Sequence, residues 1–140
     1  MTKEELKRDL YSYRDIVREL KQVDEKLAQV QSRMASPKAG ISSGTGSGSG
    51  SGDPMLDMVA TKIRLEGSYK QLQAELLARQ ERIEGMIRRL GPKERALMRC
   101  YYTDCKTWAQ VGLALHYSWS QVHRIHDSAL RHLLELEKME

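Results

Sequence analysis

Thr107-Trp108-Ala109-Gln110-Val111 returns eleven residues later as Ser118-Trp119-Ser120-Gln121-Val122, and this doublet is the first guide to the architecture. In each copy a Thr or Ser stands three residues ahead of a Gln. The hydroxyl can accept from the backbone N–H of that Gln, and the Gln side chain can reach back to the N–H of the Thr or Ser. Each copy therefore predicts a helix start. The interval leaves room for about two turns of helix and a tight connection. That is the span of a helix-turn-helix, whose second helix can enter the major groove of DNA.

Downstream of the second cap, Val122, Ile125, Ala129 and Leu133 recur on one face of a 3.6-residue period. This stripe is predicted to pack on Val111, Leu115 and Leu97. The opposite face presents Ser120, Arg124, Asp127 and Arg131, flanked by Gln121 and His123. With the cap Ser118 and the adjacent Trp119, these eight residues are the candidate DNA contacts. Gln can pair bidentately with adenine and Arg with guanine, although Gln121 also has work to do in its cap. Residues farther along such a helix reach phosphate. Trp108 is read as a packing residue, Trp119 as exposed, and His126 as a partly buried, hydrogen-bonded imidazole.

Working upstream, Gly91-Pro92 ends one helix and starts another. Helices are expected over 92–102, 107–115 and 118–136. Before them, Leu65, Tyr69, Leu72, Leu76, Ile83, Met86 and Leu90 step mostly by threes and fours, with Arg79 interrupting. Leu56, Val59 and Ile63 are expected to extend this stripe in a shifted register, with bends possible at Gly67 and Gly85. A capping box at Thr2 and Glu5 opens a further seam of Leu6, Leu10, Tyr13, Val17, Leu20, Val23, Leu27, Val30 and Met34. The consecutive three-residue steps at Leu20 and Val23 form a stammer. Between the two long helices, Ser36-Pro37 and an alternating Gly/Ser tract read as a flexible loop. No strand pattern occurs. The expected fold is all-α: a coiled-coil helix at 1–35, a loop at 36–54, a second coiled-coil helix at 55–90 folding back as an antiparallel hairpin, and a helix-turn-helix domain at 91–140. The same seams also allow pairing between chains in a homodimer.

Composition narrows the function classes. Of 140 residues, 40% are hydrophobic and none is Phe, which suits helices with narrow apolar stripes. The net charge of +4 permits nucleic-acid binding without demanding it. The local excess lies at Arg79, Arg82, Arg88, Arg89, Lys93, Arg95 and Arg99, which can also be read as a solvated face. Cys100 and Cys105 have no zinc or thioredoxin spacing, so reduced thiols in a cytoplasmic protein are expected. His116, His123 and His126 fall on different helix faces, which argues against a metal site. No apolar run could span a bilayer, and the charged start from Lys3 to Asp9 is unlike a signal peptide. No nucleophile, base and orienting group cluster in the sequence, and the Gly/Ser tract lacks the Lys of a phosphate loop. The expectation is a binding protein without cofactor, not an enzyme.

Leu90-Gly91-Pro92-Lys93-Glu94-Arg95 through Leu97, Tyr101-Tyr102, the first pentapeptide, and Ser118 through Ala129-Leu130 resemble region four of bacterial sigma factors. With its coiled-coil and Gly-rich segments, the chain is similar in architecture to the ArpU- and RinA-type phage late transcriptional regulators. The sequence departs from the region-four pattern at four positions. His116 stands where the turn usually carries Gly, Gly112 replaces Ala, Gln110 replaces Glu, and Trp119 replaces a basic or small residue. His tolerates the left-handed backbone that the turn needs. The resemblance implies a sequence-specific regulator of phage late genes, acting on double-stranded DNA in the bacterial cytoplasm, with host RNA polymerase as a further partner. Nothing resembles the sigma region that melts promoters, so a complete sigma factor is not expected. A terminase small subunit that recognises packaging DNA, or a polymerase-binding protein that reads no DNA, stays open as an alternative.

Overall fold

The computed structural model describes residues 1–36 and 53–139, and a side-chain cap stands at the start of every described α-helix except the one opened by Gly91-Pro92. Helix α1 is Lys3–Ala35, α2 is Pro54–Ile87, α3 is Pro92–Met98, α4 is Trp108–Leu115 and α5 is Trp119–Lys138. No strand occurs among the described residues. The Thr2/Glu5 box forms at the start of α1, with the Thr2 N–H donating to Glu5 Oε2 at 2.9 Å and the Glu5 N–H to Thr2 Oγ1 at 3.2 Å. The expected loop at 36–54 falls almost wholly outside the described residues.

Contacts divide the chain into two compact units, Met1–Val17 with Glu75–Glu140, and Arg18–Ala74. In the first, the start of α1 lies along the end of α2. Asp9 takes Arg82 at 2.6 Å and Arg79 at 3.7 Å, while Leu6, one turn earlier, lines a cavity with Met86 and Arg89, so the two helices run antiparallel there. Leu6, Leu10 and Tyr13 of α1 and Ile83 and Ile87 of α2 join one core with Leu97, Met98, Tyr101, Tyr102, Val111, Val122, Ala129, Leu130 and Leu133. The compact unit therefore does not begin at residue 91. The stripes of α3 and α5 are too broad for α4 alone to cover, and the ends of the hairpin complete the burial. Arg79, Arg82 and Arg99, the last paired with Glu84, are structural members of the basic run.

In the second unit, α2 keeps one helical phase. From Leu65 the half-buried positions continue upstream through Lys62, Met58 and Met55, still stepping by threes and fours. Of the expected shifted register Val59 is half-buried, whereas Leu56 and Ile63 are each 66% exposed and stand outside that stripe. Helix α2 runs on through both Gly67 and Gly85. In α1 the seam is buried at Val30 and half-buried at Leu20, Val23, Leu27 and Met34, and the helix continues through the stammer.

The helix expected over 92–102 instead ends at Met98 and widens into a π-helical turn, Arg99–Thr103. Its mark is the Asp104 N–H bonding to the Arg99 carbonyl five residues back, at 2.8 Å. In the wider turn consecutive side chains diverge less than in an α-helix, and both Tyr101 and Tyr102 are buried. Cys105, at φ 56°, brings the chain round to α4. Cys100 and Cys105 are half-buried, and burial pushes the Cys100 thiol up.

Candidate nucleic-acid interface

Both capping boxes of the doublet form. The Gln110 N–H donates to Thr107 Oγ1 at 3.2 Å, and the Thr107 N–H to Gln110 Oε1 at 2.9 Å. Ser118 and Gln121 repeat the arrangement at the same distances. Between them α4 ends at His116 with φ 61° and ψ 42°, a left-handed residue. Tyr117 then donates its N–H to the Gly112 carbonyl at 2.9 Å. Gly112 fits because a Cβ there would stand 3.0 Å from the Tyr117 carbonyl oxygen. The two departures from the region-four pattern thus lie together: His116 takes the left-handed backbone, and Gly112 makes room for the turn.

The buried face of α5 is the one the periodicity predicts, with Val122, Ala129 and Leu133 in the core and Ile125 at its edge. Leu130 and His126 join them. Tyr102 and His126 face each other, hydroxyl oxygen to Nε2, at 2.7 Å. Burial holds the Tyr102 phenol far above its ordinary range. The same burial, with Lys7, Lys3 and His123 nearby, pushes His126 down to about 4 against the opposing pull of Asp127. Neutral His126 and the Tyr102 phenol share one hydrogen bond, its direction set by which ring nitrogen carries the proton.

Glu94 of α3 ties down the middle of α5. Ser128 Oγ donates to Glu94 Oε1 at 2.8 Å, and His132 Nδ1 lies 3.0 Å from Oε2. Replacing Glu94 with Ala is expected to cost about 1–2 kcal/mol, read as a lower urea midpoint with an unchanged slope.

The eight candidate contacts occupy different situations. Ser118 is committed to its cap. Gln121 Oε1 is engaged there too, so bidentate pairing with adenine would require opening the box. Only the amide NH2 can reach outward with the cap intact. Ser120, Arg124 and Arg131 are exposed on the outer face. Asp127 is exposed as well, but its carboxylate lies 3.6 Å from the Lys3 ammonium of α1, a pairing that sequence spacing could not disclose. His123 is not a free edge. Its ring sits 5.0 Å from Trp108 and 4.4 Å from Trp119, and its Nε2 is buried with no hydrogen-bond partner among the described residues.

The two tryptophans play unequal parts. Trp108 stacks on Tyr101 at 3.5 Å with planes 10° apart and packs against the core. Trp119 is 64% exposed. Rings run continuously from Tyr11, whose hydroxyl meets that of Tyr101 at 2.6 Å, through Trp108 and His123 to Trp119. Arg14 covers Tyr101 at 4.3 Å. Of the basic run, Arg88, Arg89 and Lys93 are exposed.

Among the described residues no helix is long and apolar enough to cross a membrane. Comparison with protein-family models, with curated proteins and with solved structures finds no match.

Proposed function

We propose that this chain is a sequence-specific DNA-binding transcriptional regulator whose reading element is the exposed face of α5. The observation that carries the reading is the left-handed turn at His116 followed by a capped helix that keeps Arg124 and Arg131 in solvent. A guanidinium near the N-terminal end of such a helix can pair bidentately with guanine, and one two turns later is placed for phosphate. Arg124 is assigned the base edge and Arg131 the backbone. Ser120 and Trp119 flank them, Trp119 offering a flat ring to a sugar or a thymine methyl. Gln121 contributes its amide NH2. His123 acts by holding Trp119, and Asp127 by its pairing with Lys3. Ser118 caps. The resemblance to sigma region four supports promoter DNA, the late genes of a phage in its bacterial host, and contact with RNA polymerase as the setting. The chain acts by binding, without cofactor or catalysis.

The test is selection of a duplex from a randomised pool with the full chain, followed by titration. Arg124→Ala is expected to weaken the selected site about 10–100-fold and to relax its preference at one position. Arg131→Ala should weaken all duplexes alike and lower the salt slope by about one. If neither substitution alters binding to the selected site, α5 is not the reading helix. A protein that binds polymerase without reading DNA would select no duplex.

A further inference from the structure

Among the described residues, nothing covers a second seam on helix α2. Leu56, Ala60, Ile63 and Gly67 follow one another at steps of four, three and four, and all are exposed. They lie on the side of the helix opposite Leu65, which is buried. Alternating fours and threes are the spacing by which one helix packs along another. Gly67 is the second sign. A glycine inside a helix is unfavourable by about 1 kcal/mol relative to alanine, and here nothing lies within 4 Å of where its Cβ would be. Among the described residues no neighbour requires the missing side chain, whereas close approach of a second helix would.

We propose that this seam is a homodimer interface in which α2 of one copy packs antiparallel against α2 of a second copy, about a two-fold axis between residues 61 and 62. In that register Leu56 meets Gly67 of the second copy, and Ile63 meets Ala60. Every large residue faces a small one, and symmetry repeats both pairs. A parallel pairing would set Gly67 against Gly67 and leave a void. Charge supports the same register. Asp57 and Arg64 are exposed on one edge of the seam, and neither has an ionic partner among the described residues. The two-fold places Asp57 beside Arg64 of the second copy, twice. On the other edge Lys62 and Glu66 already pair at 3.9 Å within the helix. The interface does not depend on what α5 binds.

Sedimentation of the full chain across the micromolar range tests it. A reversible dimer is expected. Ile63→Glu should raise its dissociation constant by about 100-fold or more, because a charge would be buried without a partner. Gly67→Leu should do the same while leaving the helix content of the monomer equal or higher, since Leu is the better helix former. That separates a lost interface from a lost fold. Asp57→Arg should weaken the dimer, and the double variant Asp57→Arg with Arg64→Asp should restore it. A monomer throughout the range, an assembly larger than a dimer, a dimer indifferent to Ile63→Glu and Gly67→Leu, or no recovery in the double variant would overturn the proposal.

Discussion

Acidification from pH 7 to pH 4 is expected to remove about 3 kcal/mol of folding stability through one imidazole. His126 is 5% exposed and pushed from 6.5 down to about 4, chiefly by burial and then by Lys7. In the unfolded chain it takes a proton near pH 6.5, while the folded chain resists until about pH 4. Between those values the unfolded state binds more protons, so stability rises with pH across the window. The contribution is complete above pH 6.5, lost progressively on the way down, and level again below pH 4. Protonation would also make both ring nitrogens donors, so Nε2 could no longer accept from Tyr102. Urea unfolding at half-unit steps from pH 7.5 to 4 measures the slope. The control is His126→Gln, which keeps a polar side chain without a titration in this range. The difference between the two curves isolates the imidazole from carboxylates that begin to protonate near pH 4. A flat difference would mean that His126 titrates alike in both states.

Leu10→Ala is expected to cost about 2–5 kcal/mol, measured as loss of the unit that contains α5. Leu10 is fully buried in the core shared with Leu97, Val111 and Leu130. Those partners are at least 87 positions away in the chain. Truncation would leave a void between α1 and elements that cannot close it without moving α5. Unfolding followed by the fluorescence of Trp108, which is stacked in this core, should show a large drop in the urea midpoint. Leu77→Ala, at a position 62% exposed, should stay within about 0.5 kcal/mol of the parent. Equal effects at the two positions would mean that α1 adds nothing to the fold around the candidate site.

Much of the candidate site was legible because its signals are local. A capping box needs one hydroxyl and one Gln three residues apart, so Thr107 and Ser118 announced both helix starts without any knowledge of the remainder. The buried stripe of α5 followed from its period, while the left-handed turn at His116 was implied only by the resemblance to region four. Signals that join distant residues were not legible. Nothing in the spacing of Asp127 discloses Lys3, and nothing in His123 discloses that two tryptophans enclose it. Leu56 and Ile63 suggested a change of register because apolar residues ordinarily belong to the nearest seam. The helix kept its phase and left them outside.

The all-α class, the helix starts and the inward face of α5 were readable from the residues alone. These follow from hydrogen bonds and periodicities that span a few residues. Only the tertiary structure decided that the start of α1 completes the core beneath α5. It also decided that Arg99–Thr103 widens to bury two adjacent tyrosines, and that Arg124 and Arg131 stay exposed while Asp127 and His123 are engaged. Those outcomes depend on which distant surfaces exclude water together, and no local spacing encodes that choice.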